Sequence, residues 1–123
     1  MNFGEAIKSF WTKYATFSGR SSRSEFWFAY LFLVLAGIAA GFIEVILGLP
    51  YDASTGYGPL TILFTLAYII PFLAVTWRRF HDIDKSGAHY FYILIPLVGV
   101  ILVIIWLATK GTPEANRFGD PVV

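Results

Sequence analysis

The sequence predicts an all-α integral membrane protein, with three transmembrane helices preceded by an amphipathic interfacial helix. Three observations carry this. Of 123 residues, 57% are hydrophobic and 14% charged, against about 25% charged in soluble domains. A soluble domain this small has too much surface to hide so many apolar groups, whereas in lipid the surface itself is apolar. The apolar residues also gather into three runs, each close to the roughly 20 residues a helix needs to cross about 30 Å of hydrocarbon.

In chain order, Phe3, Ile7, Phe10, Trp11 and Tyr14 recur at spacings of three and four, with Glu5, Lys8, Thr12 and Lys13 opposite. This predicts an amphipathic helix over residues 2–16, opened by an Asn2/Glu5 cap pairing and suited to the interface plane or to packing on the chain's own spans. Ser22 with Glu25 reads as a capping box at the start of the first span, 26–48. That run is too long for a signal-peptide core, and the first 25 residues carry both signs of charge, so it is expected to stay in the membrane. The second span is 59–77 and the third 90–108. Pro71 and Pro96 lie inside them, where membrane helices tolerate a kink. The centre Ile95-Pro96-Leu97-Val98-Gly99 offers a break into a re-entrant element, but each half is too short to cross alone, so a full span is expected. Lys110, Gly111 and Pro113 then follow in the order of a helix end, and 109–123 is a polar tail. The whole chain, 1–123, reads as one membrane domain.

Orientation follows from Lys and Arg near the span ends. With three spans, Lys8, Lys13, Arg20, Arg23, Arg78, Arg79 and Lys85 share one side, and Lys110 and Arg117 fall on the other. Seven against two puts the N-terminus in the cytoplasm and the C-terminus outside.

The densest polar cluster runs from Trp77 to Gly87, between two uncharged runs. His81, Asp82 and Asp84, with His89, are ligand types for a divalent ion, but their spacing fits no metal motif. No metal or other cofactor is expected. His81 beside Asp82 resembles a carboxylate-oriented base, yet neighbours on a helix point about 100° apart, and no nucleophile stands out except Ser86. No catalytic residue is assigned. Binding asks less. Arg78 and Arg79 stand where the second span leaves the bilayer, guanidiniums pair bidentately with phosphate, and juxtamembrane cations attract anionic lipid. Arg20, Arg23, Arg78, Arg79, His81, Asp82, Asp84 and Lys85 therefore form a candidate surface for an anionic headgroup or a partner. The plainer alternative is that the arginines set topology and the aspartates fix the turn.

Glu44 is the one charge inside a span, and such a carboxylate is a functional candidate by default. It lies near the far interface and follows Gly37 and Gly41, a small-x-x-x-small contact face, which predicts helix packing around Gly37, Gly41 and Glu44.

Phe17-Ser18-Gly19-Arg20-Ser21-Ser22-Arg23-Ser24-Glu25-Phe26-Trp27 resembles the N-terminal signature of domain-of-unknown-function family 805, small bacterial inner-membrane proteins. Arg78-Arg79-Phe80-His81-Asp82 with Lys85-Ser86-Gly87 resembles its central signature. Pro96-Leu97-Val98-Gly99, Gly111-Thr112-Pro113 and Asn116-Arg117-Phe118-Gly119-Asp120-Pro121 are similar to its C-terminal ones. One departure is Ala88-His89-Tyr90, where the family usually has tryptophan after Ser-Gly, so His89 carries no family support. The resemblance implies a multi-pass bacterial inner-membrane protein and implies no reaction. It also marks the tail, with Asn116 and Arg117, as a docking element against its own spans or a neighbouring subunit.

The function expected from the sequence is a non-enzymatic membrane component that binds anionic lipid or a partner through the Arg78 loop. The alternative is an oligomeric transporter or channel subunit using Glu44 and the loop charges, and a third reading is an enzyme acting on a lipid phosphate. Expected partners are membrane lipids and further copies of the chain, with no nucleic acid.

Overall fold

The computed structural model describes residues 1–122. Four α-helices and one 3₁₀ segment make up the chain: α1 (Phe3–Thr12), α2 (Arg23–Ile46), α3 (Pro59–Asp82), the 3₁₀ segment Gly87–Leu94, and α4 (Val98–Ala108).

A full capping box opens α1. The Asn2 side chain accepts from the Glu5 amide at 2.8 Å, and Glu5 accepts from the Asn2 amide at 3.0 Å. Ala6 and Phe10 are buried, and Phe3 and Phe10 pack edge-on against Phe28 and Phe32 of α2. The apolar stripe of α1 is thus turned largely onto the chain's own first long helix.

At 24 residues each, α2 and α3 are about 36 Å long at 1.5 Å per residue. They form an antiparallel hairpin with Phe26, Ala29, Leu33 and Val75 in the shared core. Their outer faces are apolar and exposed, as at Phe42 (65%) and Leu63 (63%). Both are long and apolar enough to cross a membrane. The α3 helix runs five residues beyond the expected end at Trp77 and takes Arg78 to Asp82 into its last turns. The polar cluster is therefore mostly helix, and only Ile83–Ser86 turns the chain.

The third apolar run differs most from expectation. Residues 90–108 are not one helix. Pro96 lacks an amide hydrogen and biases Ile95 away from the helical region; Ile95 is extended at ψ 117°, and Leu97 takes a left-handed φ of 62°. Gly99 allows the chain to fold tightly here, since a Cβ would stand 1.8 Å from the Tyr92 carbonyl oxygen. The result is a hairpin of the 3₁₀ segment and α4. With 11 residues, α4 is about 16 Å long, short of the ~30 Å hydrocarbon core. Its Val100 and Ile104 line the same groove as Tyr30 and Phe72, partway along the α2–α3 hairpin. The hairpin begins with Gly87 against Trp77 and ends with the Leu107 and Thr109 carbonyls on Arg79. Both of its ends lie at the Arg78 end of the molecule, and so does the tail.

Candidate functional site

Three helices, α1, α3 and α4, end at the same place. A helix leaves its last four carbonyls without intrahelical partners and carries partial negative charge there. Guanidiniums, with five donors each, meet this need. Arg78 donates to the Lys13 carbonyl (3.3 Å) and the Thr16 carbonyl (2.7 Å) just beyond α1, to Ser21 Oγ (3.0 Å) and to Glu25 Oε2 (3.2 Å). Arg79 donates to the Leu107 carbonyl at 3.0 Å, to the Thr109 carbonyl, to the Ser21 carbonyl at 3.4 Å and to Asp82 Oδ2 at 3.0 Å. Arg20 uses all five donors, on Asp82 Oδ1 (2.8 Å) and the carbonyls of Asp82, Thr112, Glu114 and Gly119.

Arg20, Arg78 and Arg79 are 5%, 1% and 0% exposed. Sequence reasoning places them on a binding surface, and the structure corrects this: their donors face inward and are occupied, so a headgroup cannot reach Arg78 or Arg79. Three buried guanidiniums face two buried carboxylates, Glu25 and Asp82, and backbone carbonyls supply the remaining negative character. No buried side-chain polar atom among the described residues lacks a partner.

Glu25 is the residue that sequence reasoning misassigned. Ser22 caps α2 by accepting from the Glu25 amide at 3.1 Å, but the box is half-formed. The Glu25 carboxylate turns inward, accepting from Ser9 Oγ at 2.6 Å and from Arg78. Ser9 and Ser21 also went unnoticed. One signal for Ser9 was present, a polar residue adjoining the apolar stripe of α1.

His81 and Asp82 do not meet. The His81 ring hydrogen-bonds the Gly19 carbonyl through Nδ1 at 2.8 Å and stacks on Phe118, with centroids 3.9 Å apart and planes 2° from parallel. Asp82 is held by Arg20 and Arg79. No group of three or more His, Asp and Glu side chains among the described residues could hold a metal ion. His89 is local, its Nδ1 2.9 Å from the Ser86 carbonyl and its ring against Trp106.

The tail seats on this end. Asn116 Nδ2 donates to the His81 carbonyl at 2.9 Å, and Arg117 pairs with Asp84 at 3.3 Å on the surface. Gly111 makes the approach possible, since a Cβ there would lie 2.0 Å from Asp82 Oδ2. Of the remaining candidates, Lys85 lies over the Trp106 ring at 5.3 Å, and Arg23 is exposed with no ion pair among the described residues.

At the opposite end, Glu44 caps α3, accepting from the Thr61 amide at 3.2 Å and from the Thr61 hydroxyl. Gly37 and Gly41 have open space where a Cβ would stand. The expected packed seam at these glycines is not made within the chain; Gly37 lines an open cleft with Thr61 and Phe64 of α3, and α2 meets the start of α3 through Glu44 and Thr61.

The chain is 37% identical to the inner membrane protein YhaI of Escherichia coli strain K12 over 109 residues, covering 87% of this chain and 86% of the relative. It is 35% identical to the inner membrane protein YhaH of the same strain over 109 residues, 88% of each. No solved structure matches the chain. The DUF805 family, described as a protein of unknown function, matches residues 14–120, and the chain belongs to that family.

Proposed function

We propose that this chain is a non-enzymatic component of the bacterial inner membrane that presents a cationic face to anionic lipid in the cytoplasmic leaflet. The observation that carries this reading is the segregation of charge. All nine Lys and Arg residues lie in segments that meet at the end where α1, α3 and α4 terminate. The other end holds two acidic residues, Glu44 and Asp52, and no Lys or Arg. Positive residues flanking spans stay in the cytoplasm, so this end is cytoplasmic. With α2 and α3 as the spans, the third run is a re-entrant hairpin, and both termini are cytoplasmic. The names of the two relatives support the compartment.

The buried arginines hold this face together, and the exposed cations contact lipid. Each basic residue near an anionic surface contributes about 1 kcal/mol of attraction. Lys8, Lys13, Arg23 and Lys110, none of them in an ion pair among the described residues, supply it here. The test is native mass spectrometry of the full chain extracted from nanodiscs of equimolar phosphatidylglycerol and phosphatidylcholine. Enrichment of the anionic lipid is expected, and retention of both lipids in equal proportion would refute the reading.

A further inference from the structure

A cavity of about 490 Å³ opens between the start of α2 and the turn after α4, with Arg23, Ser24 and Lys110 as polar lining, Pro113, Pro121 and Val122 as a larger apolar share, and Asp82 at its floor. Arg23 and Lys110 are both exposed and make no ion pair or hydrogen bond among the described residues. The carboxylate at the floor cannot neutralise them, because Arg20 holds Asp82 Oδ1 and Arg79 holds Asp82 Oδ2. Behind the floor lies the knot with its surplus guanidinium. Arg23 and Arg20 both act on Arg79 as repelling like charges. The first-turn amides of α2 add partial positive charge, since they have no intrahelical acceptor.

A second cavity, of about 350 Å³, continues from the first. It shares Arg23 and Ser24 and is otherwise walled by Trp27, Phe28 and Ala108. These are apolar positions one turn into α2 and at the end of α4, with Trp27 and Phe28 half-buried and Ala108 exposed. A cationic chamber leading into an apolar groove matches a molecule with a phosphate at one end and an acyl chain at the other. A free anion would use only the upper part.

We infer that the Arg23–Lys110 cavity binds the phosphate of one anionic phospholipid, with an acyl chain lying along Trp27, Phe28 and Ala108. This rests on the anionic-lipid reading above and narrows it from a diffuse cationic face to one saturable site.

The test is native mass spectrometry of the full chain titrated with phosphatidylglycerol in mild detergent. Four proteins are compared: the parent chain, the Arg23→Gln/Lys110→Gln double variant, Lys110→Gln alone, and Lys8→Gln/Lys13→Gln as a charge-matched control. One tightly held lipid per chain is expected, weakened roughly tenfold or more in the Arg23/Lys110 variant, less by Lys110→Gln, and little in the control. Both sites of substitution are exposed, so melting temperatures should match the parent. Equal weakening in the two double variants would overturn the site and leave the diffuse reading standing. Loss of all preference for anionic over zwitterionic lipid in the parent would overturn both. A further arm adds inorganic phosphate: displacement of the lipid by millimolar phosphate, with phosphate itself retained, would overturn the lipid assignment in favour of a free-anion site.

Discussion

Arg20 and Asp82 lie 62 residues apart and meet twice, through Nε to the Asp82 carboxylate at 2.8 Å and through a terminal nitrogen to the Asp82 carbonyl at 3.3 Å. The same guanidinium reaches the tail carbonyls of Thr112, Glu114 and Gly119. One side chain therefore ties the segment before α2, the end of α3 and the C-terminal tail together. Asp82 is the shared counter-ion, held from its other side by Arg79. Asp82→Asn would leave three buried guanidiniums facing one carboxylate. Removing one partner of a buried pair costs about 3–5 kcal/mol. A large fall in melting temperature in detergent is expected. An unchanged melt would mean that the backbone carbonyls alone neutralise the knot.

Arg79→Lys tests geometry at constant charge. Arg79 spreads its donors over the Leu107, Thr109 and Ser21 carbonyls and Asp82. An ammonium is a compact point donor and cannot span that arc. At least two buried carbonyls lose their partner, at about 1–3 kcal/mol each. The end of α4 should loosen, which hydrogen exchange over Val103–Thr109 would report. If Arg79 served topology alone, lysine would be silent in this measurement.

The sequence announced that charge collects around Arg78, and it announced the apolar spans, because composition and run length report directly on lipid. It did not announce that the arginines are buried. Side-chain direction near a helix end depends on which other chain ends arrive there, and the carbonyls that bind Arg78 and Arg79 come from residues 13–21 and 107–109. Nothing local encodes that meeting. Glu25 was misread for the same reason. Its spacing from Ser22 fits a capping box, and only the arrival of Ser9 and Arg78 turns its carboxylate inward. The break at Pro96 was visible as a possibility. Run length favoured a span because hydropathy counts residues and does not sense the left-handed turn at Leu97.

Gly111→Ala should release the tail. Its new Cβ would collide with Asp82 Oδ2 at 2.0 Å, and moving the turn away forfeits the Thr112 amide's bond to the Asp82 carbonyl at 2.9 Å. Limited trypsin digestion should then cut at Arg117 much faster than in the parent. Phe118→Ala, which removes the stack on His81, should give a milder increase. Equal digestion rates in all three would show that the tail is held elsewhere.

Glu44→Gln should be tolerated better than Glu44→Leu. Glutamine still offers a carbonyl oxygen to the Thr61 amide and hydroxyl, while leucine leaves the start of α3 without its cap. Melting temperatures should fall in the order parent, Gln, Leu. A glutamine variant as damaged as leucine would show that the charge itself matters at this depth.

Both termini should report as cytoplasmic. With three full spans the tail would lie across the membrane from α1, but the tail binds Arg20 and His81 directly, and those residues share an end with α1 through Arg78 and Lys13. A tail so bound cannot sit on the opposite side of a bilayer. Green fluorescent protein fused at either terminus should fluoresce, and alkaline phosphatase fused there should be inactive. Phosphatase inserted between Leu49 and Gly58, in the connection between α2 and α3, should be active. An active phosphatase at the C-terminus would require the third run to straighten into a span. It would also break four hydrogen bonds, three from the Arg20 guanidinium to tail carbonyls and one from the Asn116 amide to the His81 carbonyl. The topology experiment therefore tests the knot as well as the orientation.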